Sequence, residues 1–592
     1  MSRAVPAREL SPIAHIPLPP RRGGTGPDNG RGCPYPIKYR TTRRSPVSTH
    51  EVFNQAPPLT GFTTADDPAL LEALRRDGGG WGEEAVRALG ARAGSEEVRE
   101  WARQAEAYPP VLRTHDRYGH RVDEVDFHPA WHHLMTAAVE SGQHAAPWIQ
   151  ARSGAHLVRA AKFYVWAQAE PGHGCPVSMT NAAVPALRAE PDLAAIHEPL
   201  LASPVYDPGL RPPLGKRGLI AGMSMTEKQG GSDVRANTTT AVPAGDHYVI
   251  TGHKWFTSAP MSDVFLVLAQ TEEGPTCFLM PRVLPDGTRN AMRLMRLKDK
   301  LGNRSNASAE IEYERAAAWR VGEPGRGVRT IVEMVNMTRL DCVIGAAAGM
   351  RAGLRQALHH TAYRRAFGAE LIDQPLMRNV LADLAVESEA ATVLAMRLAA
   401  ALDRSEAGDA AEGALRRLAL AAGKYWVCKR GSAHAAEALE CLGGNGYVEE
   451  SGMPRIYREA PLLSIWEGSG NVAALDVLRA LRREPAALDA FEAEVALAAG
   501  ADARLDAAAA GLRELLGSLG DPGRDQLVAR RLAERIALVL QGALLVRHAP
   551  PAVADAFCAS RLGGDWGQAF GTLPAGADLG AVLERATTKD ER

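Results

Sequence analysis

The chain has 592 residues, 46% of them hydrophobic, with 68 Lys/Arg against 69 Asp/Glu and a net charge of −1. That length holds several domains with buried cores, and the balanced charge excludes a chain-wide basic field for nucleic acid. Seven cysteines stand singly with no CxxC pair, and no apolar run reaches the roughly 20 residues of a membrane helix; a disulfide framework, a cysteine zinc site and a membrane span are excluded, and a reducing cytosol fits.

Residues 1–50 carry nine Lys/Arg against two Asp/Glu amid Pro and Gly. No period survives there, which predicts a disordered basic extension. Residues 51–222 predict a helical domain. Pro68 stands where a first helical turn tolerates proline, ahead of Ala69-Leu70-Leu71, and 154–169 reads as a second helix. His128 and His132 stand four apart, but Pro129 begins a helix and leaves His128 outside it. With no third ligand in view, they read as packing or surface histidines, and no metal is expected.

Residues 223–318 predict a β domain. Apolar runs at 263–269 and 276–280 and the alternation at 309–313 are strand-like, and Pro285-Asp286-Gly287 is a turn. Residues 319–483 return to long helices, over roughly 374–402 and 413–442, the latter stopped by Gly443-Gly444. This fits an antiparallel bundle. Residues 484–592 predict a further helical domain with a break at 520–523. Residues 481–592 hold 13 Lys/Arg against 16 Asp/Glu.

Two stretches carry chemistry. One is Met225-Thr226-Glu227-Lys228-Gln229-Gly230-Gly231-Ser232-Asp233, a polar loop between strands. Its glycines admit close backbone approach and Ser232 adds a hydroxyl, which suits a phosphate or the polar edge of a cofactor; a plain solvent-exposed turn is the alternative. The other is Trp466-Glu467-Gly468-Ser469. A carboxylate beside an aromatic in a partly dry site has a raised pKa and suits a general base; a helix-end glutamate is the alternative. Ser469 is a candidate cap for the following helix.

These stretches stand in order with His253-Lys254-Trp255-Phe256-Thr257-Ser258, Tyr363-Arg364-Arg365-Ala366-Phe367-Gly368 and Cys441-Leu442-Gly443-Gly444-Asn445-Gly446-Tyr447. The ordered set resembles the acyl-CoA dehydrogenase family of flavoproteins over roughly residues 50–560. The 225–233 loop and the run Lys298-Asp299-Lys300-Leu301-Gly302-Asn303-Arg304-Ser305 resemble its AidB-type branch, named for the response to DNA alkylation. The resemblance implies an α+β fold: N-terminal helical domain, middle β domain, C-terminal helical bundle, with an extra helical domain here.

It also implies FAD as cofactor and an acyl-CoA thioester as substrate, with Glu467 abstracting the α-proton. The electron acceptor and the acyl chain stay open. Flavin contacts fall on Met225, Thr226, Gly231, Ser232, Trp255, Phe256, Thr257 and Ser258, and on Trp466, Ser469 and Asn471. Arg364, Phe367 and Gln374, with Gly443 and Gly444, are expected to reach the FAD of a neighbouring subunit in a homotetramer. Ser258 and Ala366 stand where relatives often carry Asn and a hydroxyl residue. The AidB-type resemblance further implies double-stranded DNA binding by the C-terminal helices. Arg524, Arg530, Arg531 and Arg535, with Arg547 and Arg561, are the candidate basic face, set against the acidic count there. The competing readings are a weak or strong dehydrogenase, a flavoprotein that protects DNA, and an oligomeric scaffold with a structural flavin.

Overall fold

The computed structural model describes residues 50–150 and 152–587, so the expected extension lies outside the described residues except for His50. The first helices are α1 (Pro68–Arg76), α2 (Glu83–Ala93) and α3 (Glu96–Ala107). Asp67 caps α1, its carboxylate accepting from the Ala69 and Leu70 N–H groups, with Pro68 at the first position. A hairpin follows, β1 (Val111–His115) against β2 (Arg121–Asp126). Sequence reading missed it because its pairing is polar: Arg113 bridges Glu124 and Asp126 across the strands, and no apolar alternation marks it. Then come α4 (Pro129–Glu140), α5 (Ala155–Ala167), α6 (Gly174–Leu187) and α7 (Pro191–Leu201). His128 stays outside α4, and its Nδ1 accepts from the Ala130 N–H at 3.2 Å. The ring is therefore a helix cap.

The β domain holds β3 (Ala221–Ser224), β4 (Thr240–Ala244), β5 (His247–Ser258), β6 (Val264–Thr271), β7 (Gly274–Pro281), β8 (Met292–Leu297) and β9 (Ser308–Val321). Pairings run β6-β4-β5-β9-β7 and return from β7 to β6, closing a ring, with β3 parallel to β6 and β8 on β9. The apolar runs at 264–269 and 277–280 are continuous because both faces are buried. Val264, Leu266 and Leu268 face the helices, whereas Phe265, Val267 and Ala269 fill the ring's own core.

The bundle is α8 (Gly327–Tyr363), α9 (Pro375–Glu406), α10 (Ala410–Glu440), α11 (Met453–Leu463) and α12 (Gly470–Arg483). Between α8 and α9 projects a small hairpin, β10 (Arg365–Ala366) with β11 (Ala369–Glu370). The last helices are α13 (Pro485–Ala496), α14 (Ala503–Gly517), α15 (Pro522–His548), α16 (Pro551–Phe557) and α17 (Leu579–Ala586). Their apolar faces are continuous with the bundle core, with α15 set against α9, α10 and α12.

This packing breaks the expected face of six arginines. Arg561 is buried, paired with Asp383 and Glu387. Arg547 pairs with Glu494 at 2.8 Å, and Arg530, though exposed, donates from Nε to the Tyr425 hydroxyl at 3.2 Å. A guanidinium next to a buried carboxylate is held there, because exposing either leaves the other an unpaired charge.

Candidate active site

The 225–233 loop leaves β3 and is tied down by an ion pair. Glu227 Oε1 accepts from Lys254 Nζ of β5 at 2.9 Å, both side chains fully buried. Its other oxygen accepts from the Thr238 N–H at 2.7 Å, and Lys254 also donates to the carbonyls of Met225 (3.2 Å) and Leu268 (2.7 Å). Burial works to raise the Glu227 pKa, but Lys254 and the donors around it prevail and hold it down at about 2. The anchored loop gathers Met225, Thr226, Trp255 and Thr257. The Trp255 N–H donates to Thr226 O at 2.8 Å, and the Ser224 and Thr257 hydroxyls are 2.6 Å apart. A Cβ on Gly231 would stand 2.5 Å from Thr226 Oγ1, so the absent side chain lets the loop fold onto Thr226. Ser232 is exposed on the same loop.

Lys298 Nζ lies 3.3 Å from the Trp255 ring centroid, with Lys228 and Arg296 farther out. The AidB-type segment supplies Lys298, and the half-exposed Phe256 shares that cation. Ser258 pairs with the Ser308 hydroxyl across β5 and β9 at 3.2 Å.

Glu467 occupies the turn between α11 and α12 with φ +56°, followed by Gly468 at +100°. A non-glycine residue there costs on the order of 1–2 kcal/mol, and the surrounding carbonyls are clamped. Lys424 Nζ donates to Trp466 O at 2.9 Å and to Gly468 O. Arg339 Nε donates to Glu467 O at 2.9 Å and is itself paired with Asp476 at 2.7 Å. Thr338 Oγ1 donates to Glu467 Oε2 at 2.7 Å. Burial pushes the Glu467 carboxyl up, while Thr338, Lys424 and Arg339 hold back part of the rise. Ser469 does precede α12, but its side chain makes no capping bond; the Arg339 and Lys424 clamps orient this helix start instead. Asn471 is exposed on its first turn.

Glu467 and Trp466 line a cavity between α5, α6, α8, α10 and α11. Its α8 wall is Thr338, Asp341, Cys342, Gly345, Ala346, Gly349, Met350 and Ala352, the small ones at 342, 345, 349 and 352 recurring three or four apart on one helix face. Helix α11 runs opposite to α8: Leu463 packs on Gly345 and Ile456 on Gly353. From Thr338 to Gly353 the groove therefore spans about 22 Å at 1.5 Å per residue.

The remaining candidates gather elsewhere. Phe367 and Gly368 form the β10–β11 turn, both with positive φ, and the Phe367 ring is 99% exposed. Arg364 donates to Asn54 O, Gln374 Nε2 to Ala366 O at 3.0 Å, and Asn445, beside Gly443 and Gly444, to Gln55 Oε1 at 3.2 Å. Asn54 and Gln55 thus join the two glycine-containing loops, and no described contact brings these loops to the Thr226–Thr257 cradle of the same chain.

A closed β ring flanked by helices, with a hydroxyl-lined loop and a clamped carboxylate at an apolar groove, defines a flavoprotein dehydrogenase architecture. Residues 54–208 match the "Adaptive response protein AidB N-terminal domain", 222–316 the "Acyl-CoA dehydrogenase, middle domain" and 325–482 the "Acyl-CoA dehydrogenase, C-terminal domain". The chain is 46% identical over 519 residues to "Putative acyl-CoA dehydrogenase AidB" of Escherichia coli strain K12, covering 86% of this chain and 94% of that protein. It is 32% identical to "Acyl-CoA dehydrogenase family member 11" of Caenorhabditis elegans, covering 87% and 88%. The crystal structure of Caenorhabditis elegans ACDH-11 in complex with C11-CoA superposes with a TM-score of 0.79 at 29% identity, covering 94% and 95%. The chain belongs to the acyl-CoA dehydrogenase family of FAD-dependent oxidoreductases, in its AidB branch.

Sequence reading missed Thr338, Arg339, Lys424 and Asp476. Their signal was present as charged or hydroxyl side chains inside otherwise apolar helices, such as Lys424 within Ala421-Ala422-Gly423-Lys424-Tyr425-Trp426.

Proposed function

We propose that the protein oxidises a long-chain acyl thioester, with Glu467 as the general base. The observation that carries this is Glu467 itself: a carboxylate fixed by Thr338 at the wall of a groove long enough for an acyl chain. The proton α to a thioester carbonyl is weakly acidic, so its removal needs a base aimed at one carbon. The clamped 466–468 backbone keeps the carboxylate on that line. Its raised pKa makes it a stronger proton acceptor than an ordinary carboxylate.

The residues of the β domain fit FAD. Gly231 leaves room against Thr226; Met225, Thr226, Trp255 and Thr257 lie on and beside the 225–233 loop; and the buried Trp466 Nε1 has no protein acceptor. Met225, Thr226, Trp255 and Thr257 would hold the ring system and Gly231 and Ser232 the phosphates. When bound, FAD supplies the two-electron acceptor for the β-hydride. The exposed Phe367 and Leu376 and the separation of Arg364 and Gln374 from the cradle support a homotetramer in which these residues complete the site of a neighbouring copy.

The test is anaerobic: FAD-loaded protein is mixed with a panel of acyl-CoA thioesters and its visible spectrum followed. Bleaching of the flavin by a long-chain thioester is expected, and an unchanged spectrum across the panel rejects the reading. A duplex-DNA role is a second reading, favoured by one stripe. Arg524, Arg531 and Arg535 recur at spacings of seven and four along α15, the first two exposed, and such a row faces one direction.

A further inference from the structure

We propose that two glycines of α8, Gly345 and Gly349, set the length of acyl chain that the groove accepts. The inference rests on the thioester reading above and assigns its chain-length specificity to two positions.

The middle of α8 is packed on nearly all sides. Between Met337 and Thr361 only Gly345, Gly349, Ala352 and Gln356 are partly exposed. They stand four, three and four apart, and so share one face of the helix. The first three line the cavity that Glu467 also lines. That face therefore opens onto the groove and not onto a packed neighbour.

A glycine inside a helix is less favourable than an alanine, because it gives up more backbone freedom on folding. A packed helix carries one at no loss where a neighbour needs the room. Gly353 is such a position: a Cβ there would stand 3.3 Å from Ala438 Cβ of α10. Gly349 differs, since a Cβ there would meet no atom within 4 Å. At Gly345 a Cβ would meet only the Leu463 methyls, at 3.7 and 3.8 Å, which is ordinary contact. No neighbouring atom accounts for these two gaps, and the room they leave belongs to the groove. It is apolar room, with Ala346, Met350, Ala460 and Leu463 lining the same cavity. Position along α8 orders the two glycines. Thr338, which holds the base, precedes Gly345 by seven residues and Gly349 by eleven, about 10.5 and 16.5 Å along the axis. With its α-carbon at Glu467, a short acyl chain ends before Gly345, a medium one passes it, and a long one passes both. A side chain at either glycine would fill the groove there and stop the chain.

The test uses full-length, FAD-loaded protein and saturated thioesters from butanoyl-CoA to hexadecanoyl-CoA, read by the concentration that half-saturates anaerobic bleaching. Gly349→Leu should raise that concentration by about tenfold or more for the longest chains. Gly345→Leu should do so from shorter chains onward. The two cut-offs should lie roughly four to five carbons apart, matching the 6 Å rise of four helical residues. Butanoyl-CoA should be the least affected in both variants. Gly345→Ala and Gly349→Ala add a methyl that clashes with nothing. They should unfold at no lower temperature than the wild type and show the same ordering with a smaller rise, and they carry the test if a leucine variant loses its FAD. An equal rise at every chain length, an unchanged response to the longest chains, or cut-offs that coincide overturn the proposal and leave the role of Glu467 standing. Failure of every thioester to bleach the wild-type flavin rejects both.

Discussion

Lys254 is the residue whose loss should be felt most widely, because it holds Glu227 and two carbonyls at the base of the cofactor loop. Lys254→Met leaves a buried carboxylate without its cation. The expected destabilisation is about 3–5 kcal/mol, read by denaturant unfolding, with release of FAD at lower denaturant than in the wild type. Adding Glu227→Gln to that variant should recover part of the loss. The same pair sets an acid limit. The folded pKa of Glu227, about 2, lies below its ordinary value of 4.5, so its contribution is complete above pH 4.5. It is lost as pH falls from there toward 2. Acid titration of flavin fluorescence should show FAD released over that window. A site retained unchanged to pH 2 contradicts this. The loop was legible in the sequence from its glycines and Ser232. The ion pair beneath it was not, because Glu227 and Lys254 are 27 positions apart and only β5 brings them together.

At the scale of elements, the β10–β11 hairpin is the most exposed of the candidate cofactor-binding segments. Phe367 and Leu376 are 99% and 85% exposed on the two sides of this segment, and apolar side chains exposed together mark a surface that another copy can cover. Phe367→Asp is therefore expected to dissociate the oligomer and release FAD together, measured by light scattering with in-line flavin absorbance. A dissociated protein that keeps its FAD, or an intact oligomer, contradicts the assignment. The long helices were readable because α8, α9 and α10 are apolar over most of their length, with Pro375 opening α9 and Gly443-Gly444 following α10. The β1–β2 hairpin was not, since Arg113, Glu124 and Asp126 pair through charge and leave no period. The small-residue groove on α8 was equally hidden. Gly345, Ala346 and Gly349 read as helix packing until α11 is seen to run opposite them.

On the scale of the whole molecule, the net charge is −1 and the C-terminal helices contribute an acidic excess. DNA binding there rests on three phosphate contacts at most from Arg524, Arg531 and Arg535. Log affinity for duplex DNA should fall against log salt with a slope near about −2.7, at 0.9 per phosphate. The triple alanine variant should abolish it; binding that persists in that variant removes α15 from the role. The central claim is that this fold places Glu467 as the base that removes the substrate's α-proton. Glu467→Gln keeps the shape and the Thr338 contact and removes the proton acceptor. Stopped-flow bleaching by the best thioester should slow by about 10²–10⁴-fold with FAD content and melting temperature unchanged, whereas equal rates in the two proteins would contradict the account.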